Sequence, residues 1–230
     1  MDYTYYPGCS LTGSARALDK GVRALCKALG HRLTEIPEWN CCGALEYGDR
    51  NELAALSREN LRKAESLLPA REILAPCPAC YKNLKEAAEE TESRFTIVNP
   101  LELLDKDMLA SIPAKRSLKG KVFTPYYGCV LLRPEGTAIR NKHIMEELIT
   151  FFGGEIEGER IKDRCCGGNQ FFANKWATSK LSSLILERSK GTLVVFCPLC
   201  HMALKTFSTG APVIYLTDLV LYIMGENKTL

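Results

Sequence analysis

Ten of the eleven cysteines in this chain form one five-cysteine pattern written twice. The first copy is Cys9, then Cys41-Cys42-Gly43, then Cys77-Pro78-Ala79-Cys80. The second is Cys129, then Cys165-Cys166-Gly167, then Cys197-Pro198-Leu199-Cys200. Equivalent cysteines lie 120 to 124 residues apart, and Tyr6-Pro7-Gly8-Cys9 matches Tyr126-Tyr127-Gly128-Cys129. Five thiols in register twice mark an internal duplication, so the chain is expected to fold as two related halves.

The remaining sequence reads as strands alternating with helices. In the first half Tyr3–Tyr6 is a β-prone run ending at Pro7-Gly8-Cys9. Ser14 is placed to cap a helix whose apolar positions Leu18, Val22, Leu25 and Leu29 keep helical spacing up to Gly30. A strand at Leu33–Ile36 leads to the Cys-Cys-Gly turn, and Leu53, Leu56, Leu61, Ala64 and Leu67 form a helical stripe closed by Pro69. Glu72–Ala75 then delivers the chain to Cys77, with Pro78 in the first turn of the next helix, where its missing N–H costs nothing. The second half repeats the plan: Val122–Thr124, a helix over Ala138–Phe152, the Cys165-Cys166 turn, a helix carrying Leu181, Leu184 and Ile185, and the strand Leu193–Phe196 feeding Cys197. Alternation of this kind predicts an α/β fold with two small parallel sheets flanked by helices. The expected domains are 1–110 and 121–230, joined by a linker over 111–120 that holds Pro113 and several basic residues.

This plan puts every motif cysteine at the C-terminal end of a strand or in the turn behind one, the edge where open parallel sheets bind ligands. Each Cys-x-x-Cys pair also opens a helix, whose positive end favours thiolates. No apolar run approaches the ~20 residues needed to span a bilayer. With no leader sequence visible, a cytoplasmic location is expected, where thiols stay reduced or bind metal. Eleven is an odd number of cysteines, which argues against a closed disulfide framework. The net charge of +3 is too small to suggest nucleic acid. Residues 1–114 carry net −3 and residues 115–230 net +6, an asymmetry that either reflects ordinary solvated surface or draws an anionic substrate or acidic partner to the second half.

Five thiols per half are one too many for the common sites. Structural zinc takes four ligands, a thioredoxin-type Cys-x-x-Cys uses two, and a cubane iron–sulfur cluster takes four and leaves a spare thiol. The reading that uses every residue is a cluster with five cysteine ligands. Adjacent cysteines do not easily reach one iron but can bind different irons of an opened cluster.

At these residues the sequence resembles the cysteine-rich CCG domain family, as in the B subunit of heterodisulfide reductase. The resemblance covers nearly the whole chain and implies two pseudo-twofold-related domains with one noncubane 4Fe-4S cluster each. The implied ligands are Cys9, Cys41, Cys42, Cys77 and Cys80 in the first, and Cys129, Cys165, Cys166, Cys197 and Cys200 in the second. It further implies that a disulfide is cleaved or formed between the two clusters by successive one-electron steps. The implied partners are an HdrC-like iron–sulfur subunit, an HdrA-like flavoprotein and an anionic disulfide or thiol substrate. Within the family the chain looks closer to bacterial B-like subunits, including those of sulfur-oxidising complexes. The alternatives are an electron-relay subunit of a lactate, glycolate or glycerol-phosphate oxidising complex, and a zinc-stabilised scaffold.

Outside the motif, Cys26 reads as a buried free thiol. His201, directly after Cys200, is a candidate hydrogen-bond or proton donor at the second site, against a packing role. Arg160, Lys162 and Arg164 form either a solvated loop or an anion-steering rim. Tyr5, Tyr6, Tyr126 and Tyr127 are expected to pack beside the sites.

Overall fold

A computed structural model of the protein describes residues 1–44, 48–67, 70–158 and 160–230. The chain divides into two compact units, Met1–Leu103 and Leu104–Leu230.

In the first unit the chain runs β1 (Asp2–Tyr5), α1 (Gly8–Thr12), α2 (Arg16–Ala28), β2 (Arg32–Glu35), α3 (Arg50–Ala64), β3 (Glu72–Leu74), α4 (Pro78–Glu90) and β4 (Thr96–Val98). The strands form a parallel sheet in the order β2-β1-β3-β4. Its centre is apolar on both faces, with Tyr3, Tyr5, Ile73 and Leu74 buried, as a parallel sheet covered by helices requires. α2 turns Leu18, Val22 and Leu25 onto the core. It stops at Gly30, whose φ of +73° lets His31 N donate to Cys26 O at 2.8 Å.

The second unit runs α5 (Lys106–Ser111), β5 (Val122–Tyr126), α6 (Cys129–Leu132), α7 (Ile144–Phe151), β6 (Glu155–Ile156), α8 (Lys175–Leu186), β7 (Thr192–Val195), α9 (Pro198–Phe207), β8 (Val213–Tyr215) and α10 (Leu216–Ile223). Its sheet repeats the first, parallel in the order β6-β5-β7-β8. Leu193, Val194 and Val195 form a fully buried run at the middle of it. The expected α/β architecture of two tandem parallel sheets is therefore the one observed.

Four local expectations change. The helix expected from Ser14 begins at Arg16, with Ala15 at the cap position and no side-chain cap, because the chain leaving Cys9 first winds the separate turn of α1. The helix expected over Ala138–Phe152 is confined to α7; the segment before it packs Ala138 and Ile139 into the core as irregular chain. The stripe through Leu67 tightens into a 3₁₀ turn at Glu65–Leu67, and its expected stop at Pro69 lies outside the described residues. The 111–120 stretch belongs to the second unit: Lys115 N and Arg116 N both donate to Ile223 O, at 2.8 and 3.0 Å, and Ile112 and Leu118 are buried. Residues 104–110, expected with the first half, also fall in the second unit.

Both sheets have the same switch point. The chain goes from the first strand to one neighbour, then crosses back to pair on the other side, so the crevice lies between β1 and β3, and between β5 and β7. Ligands bind outside the carboxyl ends of strands at such a crevice. Among the described residues no helix is long and apolar enough to cross a membrane.

Candidate metal centre

Two of the three cysteine-bearing loops of each unit leave the strands that border its crevice, and the third leaves the edge strand beside them. Cys9 follows β1 at the start of α1, Cys41-Cys42 follows β2, and Cys77 follows β3 as the cap residue of α4, with Pro78 in the first turn. In the second unit Cys129 opens α6, Cys165-Cys166 follows β6, and Cys197 caps α9. The structure brings the three cysteine-bearing loops of each unit to the same end of its sheet, and all eleven cysteines are free thiols.

Sulfur-to-sulfur contacts knit each group together. Cys42 Sγ lies 3.2 Å from Cys80 Sγ, and Cys166 Sγ 3.4 Å from Cys200 Sγ. Cys41 hydrogen-bonds Cys42 and Cys77 bonds Cys80; in the second unit Cys129 bonds Cys165 and Cys197 bonds Cys200. Cys42, Cys77 and Cys80 are buried, as are Cys166, Cys197 and Cys200, whereas Cys9, Cys41 and Cys165 are exposed and Cys129 is half-buried. Each group thus has a closed floor and an open mouth.

Matched polar contacts set the Cys-Cys-Gly turns. Tyr6 Oη donates to the carbonyl of Asn40 at 2.7 Å, and Tyr126 Oη to the carbonyl of Arg164 at 2.6 Å. Ser57 Oγ donates to Cys42 O at 3.0 Å and Ser182 Oγ to Cys166 O at 3.1 Å. The backbone N–H groups of Gly43 and Gly167 point at Cys41 Sγ and Cys165 Sγ, at 3.4 and 3.3 Å. Gly8 and Gly128 have φ of +68° and +77°, and a Cβ on either would lie 3.1 Å from Cys80 Sγ or 2.9 Å from Cys200 Sγ. The backbone approaches sulfur so closely that only glycine fits.

The thiols release protons unequally. Hydrogen bonds, first from Cys41 and then from Cys80, bring Cys42 down to about 4. The bond from Cys129 lowers Cys165 to about 6, helped by the Gly167 N–H and the Arg133 charge. Cys80 and Cys200 are pushed up by the thiols they serve and by burial. Several bare thiolates packed this closely repel one another, so full ionisation calls for a cationic core between them.

The residues suit an iron–sulfur cluster. The donors are soft, free thiols, five per unit, with backbone N–H groups aimed at sulfur and side-chain-free backbone beside them. Among the described residues no three His, Cys, Asp or Glu side chains converge as a ready-made single-ion site.

Other expected residues fall variously. Tyr5, Tyr6, Tyr126 and Tyr127 are all buried, and so is Cys26, whose thiol is pushed up to about 12 by that burial. His201 stacks on Tyr215, ring centroids 4.0 Å apart at 20°, and burial lowers it to about 4. It is a neutral ring in a packing contact. Lys162 is spent internally, donating to Glu146 Oε1 at 3.1 Å and Lys142 O at 2.8 Å, while Arg160 and Arg164 are exposed. The cation that acts on the second site is one the sequence reading passed over, Arg133. It lies four residues after Cys129, one turn along, and donates to Asp163 O at 2.6 Å.

Comparison with known proteins agrees with the geometry. The family model for the CCG cysteine-rich domain matches residues 3–85 and again 123–205. A curated relative, the membrane anchor subunit of 8-methylmenaquinol:fumarate reductase from Wolinella succinogenes, is 27% identical, the match covering 97% of this chain and 92% of that one. A crystal structure of a hypothetical protein from Helicobacter pylori superposes with a TM-score of 0.73 at 12% identity over 99% of this chain. The chain spans about half the length of that protein, 49%, and the likeness concerns the fold alone.

Proposed function

The chain belongs to the CCG cysteine-rich domain family, and from that premise we propose that it is an iron–sulfur electron-transfer subunit of a multi-subunit oxidoreductase. Cys9, Cys41, Cys42, Cys77 and Cys80 would hold one cluster, and Cys129, Cys165, Cys166, Cys197 and Cys200 a second. The observation that supports the reading is the matched placement of five free thiols in the strand-end loops of each sheet. Each cluster, when bound, supplies a one-electron redox centre. The protein's own part is to fix the thiolates, neutralise them with N–H groups and helix N-termini, and bury one side of the site.

A relative matched end to end and named as a subunit of a quinol:fumarate reductase supports a role within a larger complex. It favours electron relay over chemistry on a small substrate.

The second reading is a heterodisulfide reductase-like B subunit with two noncubane clusters, working with HdrC-like and HdrA-like partners. The open mouth of the second site favours it: Cys165 is exposed, and Arg133 stands near it as an anchor for an anionic thiol or disulfide. Anaerobic protein decides between them. A relay subunit keeps its EPR and visible spectra when a disulfide or thiol is added. A thiol-binding cluster changes both. Stoichiometric zinc without sulfide would remove both readings.

A further inference from the structure

The two cysteine groups stand on one scaffold used twice, so whatever they share affects both alike. They share the tyrosine tie, the serine on the carbonyl of the second adjacent cysteine, the N–H group at the first, and the glycine against the Cys-x-x-Cys sulfur. Their surrounding charge is not shared. Four residues after the opening cysteine, the first unit has Gly13 and the second Arg133. Ahead of the double cysteine stand Glu38-Trp39-Asn40 in the first unit and Lys162-Asp163-Arg164 in the second.

Arg133 is held across the second site. Its backbone N–H donates to Cys129 O at 2.9 Å, and its guanidinium donates to Asp163 O at 2.6 Å. The side chain therefore runs from the opening-cysteine segment to the peptide two residues before Cys165, and its charge acts on the Cys165 sulfur. Asp163 offers its carbonyl rather than its carboxylate, so this bond does not neutralise the guanidinium.

No cation of the first unit is placed in this way. Arg16 donates to Thr12 O at 3.0 Å, back along its own segment rather than across to the double cysteine. Lys63 donates to Glu38 O and to Asn40 Oδ1, at 2.7 and 3.0 Å, with Glu59 at 4.0 Å. The groups that act most strongly on Cys41 and Cys42 are other thiols and backbone N–H groups, with no cation among them.

Reduction adds negative charge to a cluster, and a cation nearby stabilises the reduced form. Net charge, hydrogen bonds to sulfur and solvent exposure set the potential. The glycine N–H bonds to sulfur are matched between the units, and at the mouths exposure differs only in that Cys129 is half-buried and Cys9 exposed. Charge is where the two sites part.

We propose that Arg133 makes the centre of the second unit the more readily reduced, so that the first electron the protein takes up rests there. The inference rests on the reading that each unit holds one cluster. In a downhill relay the electron then leaves the subunit from its second unit.

The test is a potentiometric EPR titration of the anaerobically prepared, cluster-bearing protein. Each signal is assigned by whether Cys42→Ala or Cys166→Ala alters it. The second centre should be reduced first, with a lead of roughly tenfold in the equilibrium between the centres, or about 59 mV for one electron. Arg133→Gln should remove that lead by lowering the second potential, and leave the first where it was. Arg133→Lys keeps the charge and should keep the lead. Because Arg133 is exposed, added salt should narrow the lead. The lysine variant and the salt series decide the matter even where Arg133→Gln fails to retain its second cluster. Equal potentials, or a first centre reduced first, in protein with full iron and sulfide overturn the proposal alone. So do an unchanged second potential in Arg133→Gln, a lead indifferent to salt, or a lead lost equally in Arg133→Lys, which would make the tether to Asp163 O responsible. Protein without iron and sulfide overturns the reading of the site, and this proposal with it.

Discussion

The Tyr126 hydroxyl donates to the Arg164 carbonyl at 2.6 Å, and this bond holds the peptide immediately before Cys165 and Cys166. Tyr6 makes the equivalent bond to Asn40, ahead of Cys41 and Cys42. One tyrosine thus ties the exit of the first strand to the entry of the double-cysteine turn in each unit. In the first unit the same carbonyl also accepts from Asn60 Nδ2 at 3.0 Å, so Tyr6 shares the task there.

Tyr126→Phe keeps the ring and removes this tether together with the hydroxyl's hydrogen bond to the Cys166 sulfur. The released carbonyl belongs to an exposed residue and can turn to water, so the cost should be about 1 kcal/mol. If each unit holds a cluster, that of the second unit should be lost faster on exposure to air or chelator, with the first unaffected; Tyr6→Phe should show the reverse. Separate EPR signals followed against time provide the measurement. Loss of both clusters at equal rates in either variant would show that the tyrosines do not act on their own turns.

Gly128→Ala tests the close approach of backbone to sulfur. The added Cβ would stand 2.9 Å from Cys200 Sγ, at a φ of +77°. Left-handed backbone alone costs an alanine about 1 kcal/mol or more, and the sulfur has to move as well. The expected protein is folded but holds about half the wild-type iron. Full iron content in Gly128→Ala would mean the cradle has slack that the distances do not show.

The cradle was legible in the sequence where local chemistry and pairing coincide. Cys77-Pro78 and Cys197-Pro198 announce helix starts because proline fits the first turn, and both are helix starts. The duplication places the remaining cysteines by analogy. What was not legible depends on partners distant in the chain. The 111–120 stretch, with its proline and basic residues, reads as solvated linker, yet Lys115 N and Arg116 N find Ile223 O more than a hundred residues away. Arg133 belongs to no motif, and only the fold shows that its charge helps lower the Cys165 thiol. On α8 the spacing places Leu181, Leu184 and Ile185 on a helix without saying which face is buried, and only Ile185 of the three is. The inner face of the helix is instead taken by Thr178 and Ser182, which donate to Gly167 O and Cys166 O.

Cys26 provides a stability test with a definite pH window. Burial pushes its thiol up to about 12 in the folded protein, from an ordinary value of 9.0. Above pH 9 the unfolded chain releases this proton while the folded chain keeps it, so unfolding is accompanied by proton loss. This thiol's contribution to stability is therefore whole below pH 9 and declines as pH rises from there toward 12. Cys26→Ala should remove that part of the decline, retain both clusters, and cost about 1 kcal/mol in core packing at neutral pH. Denaturant midpoints at pH 7.5 and pH 10 for both proteins measure it, as does alkylation, which should modify Cys26 only after unfolding. Rapid alkylation of Cys26 in the folded protein would contradict the burial.

The final prediction concerns the two cysteine groups as independent holders of iron. If each unit carries one four-iron cluster, anaerobic protein should contain about eight irons and eight sulfides. Cys42 and Cys166 occupy equivalent places: both are buried, both contact the second sulfur of a Cys-x-x-Cys pair, at 3.2 and 3.4 Å, and both carbonyls are held by a serine. Cys42→Ala should therefore change the first centre alone and Cys166→Ala the second alone, each leaving about half the iron with an unchanged signal. Retention of four thiols lets the altered unit keep a cubane with a shifted spectrum, whereas complete loss of that centre makes the fifth cysteine indispensable. A wild-type spectrum and full iron in Cys42→Ala would exclude Cys42 as a ligand and return the first unit to a four-thiol site. Collapse of both centres from either single change would mean that they do not assemble independently.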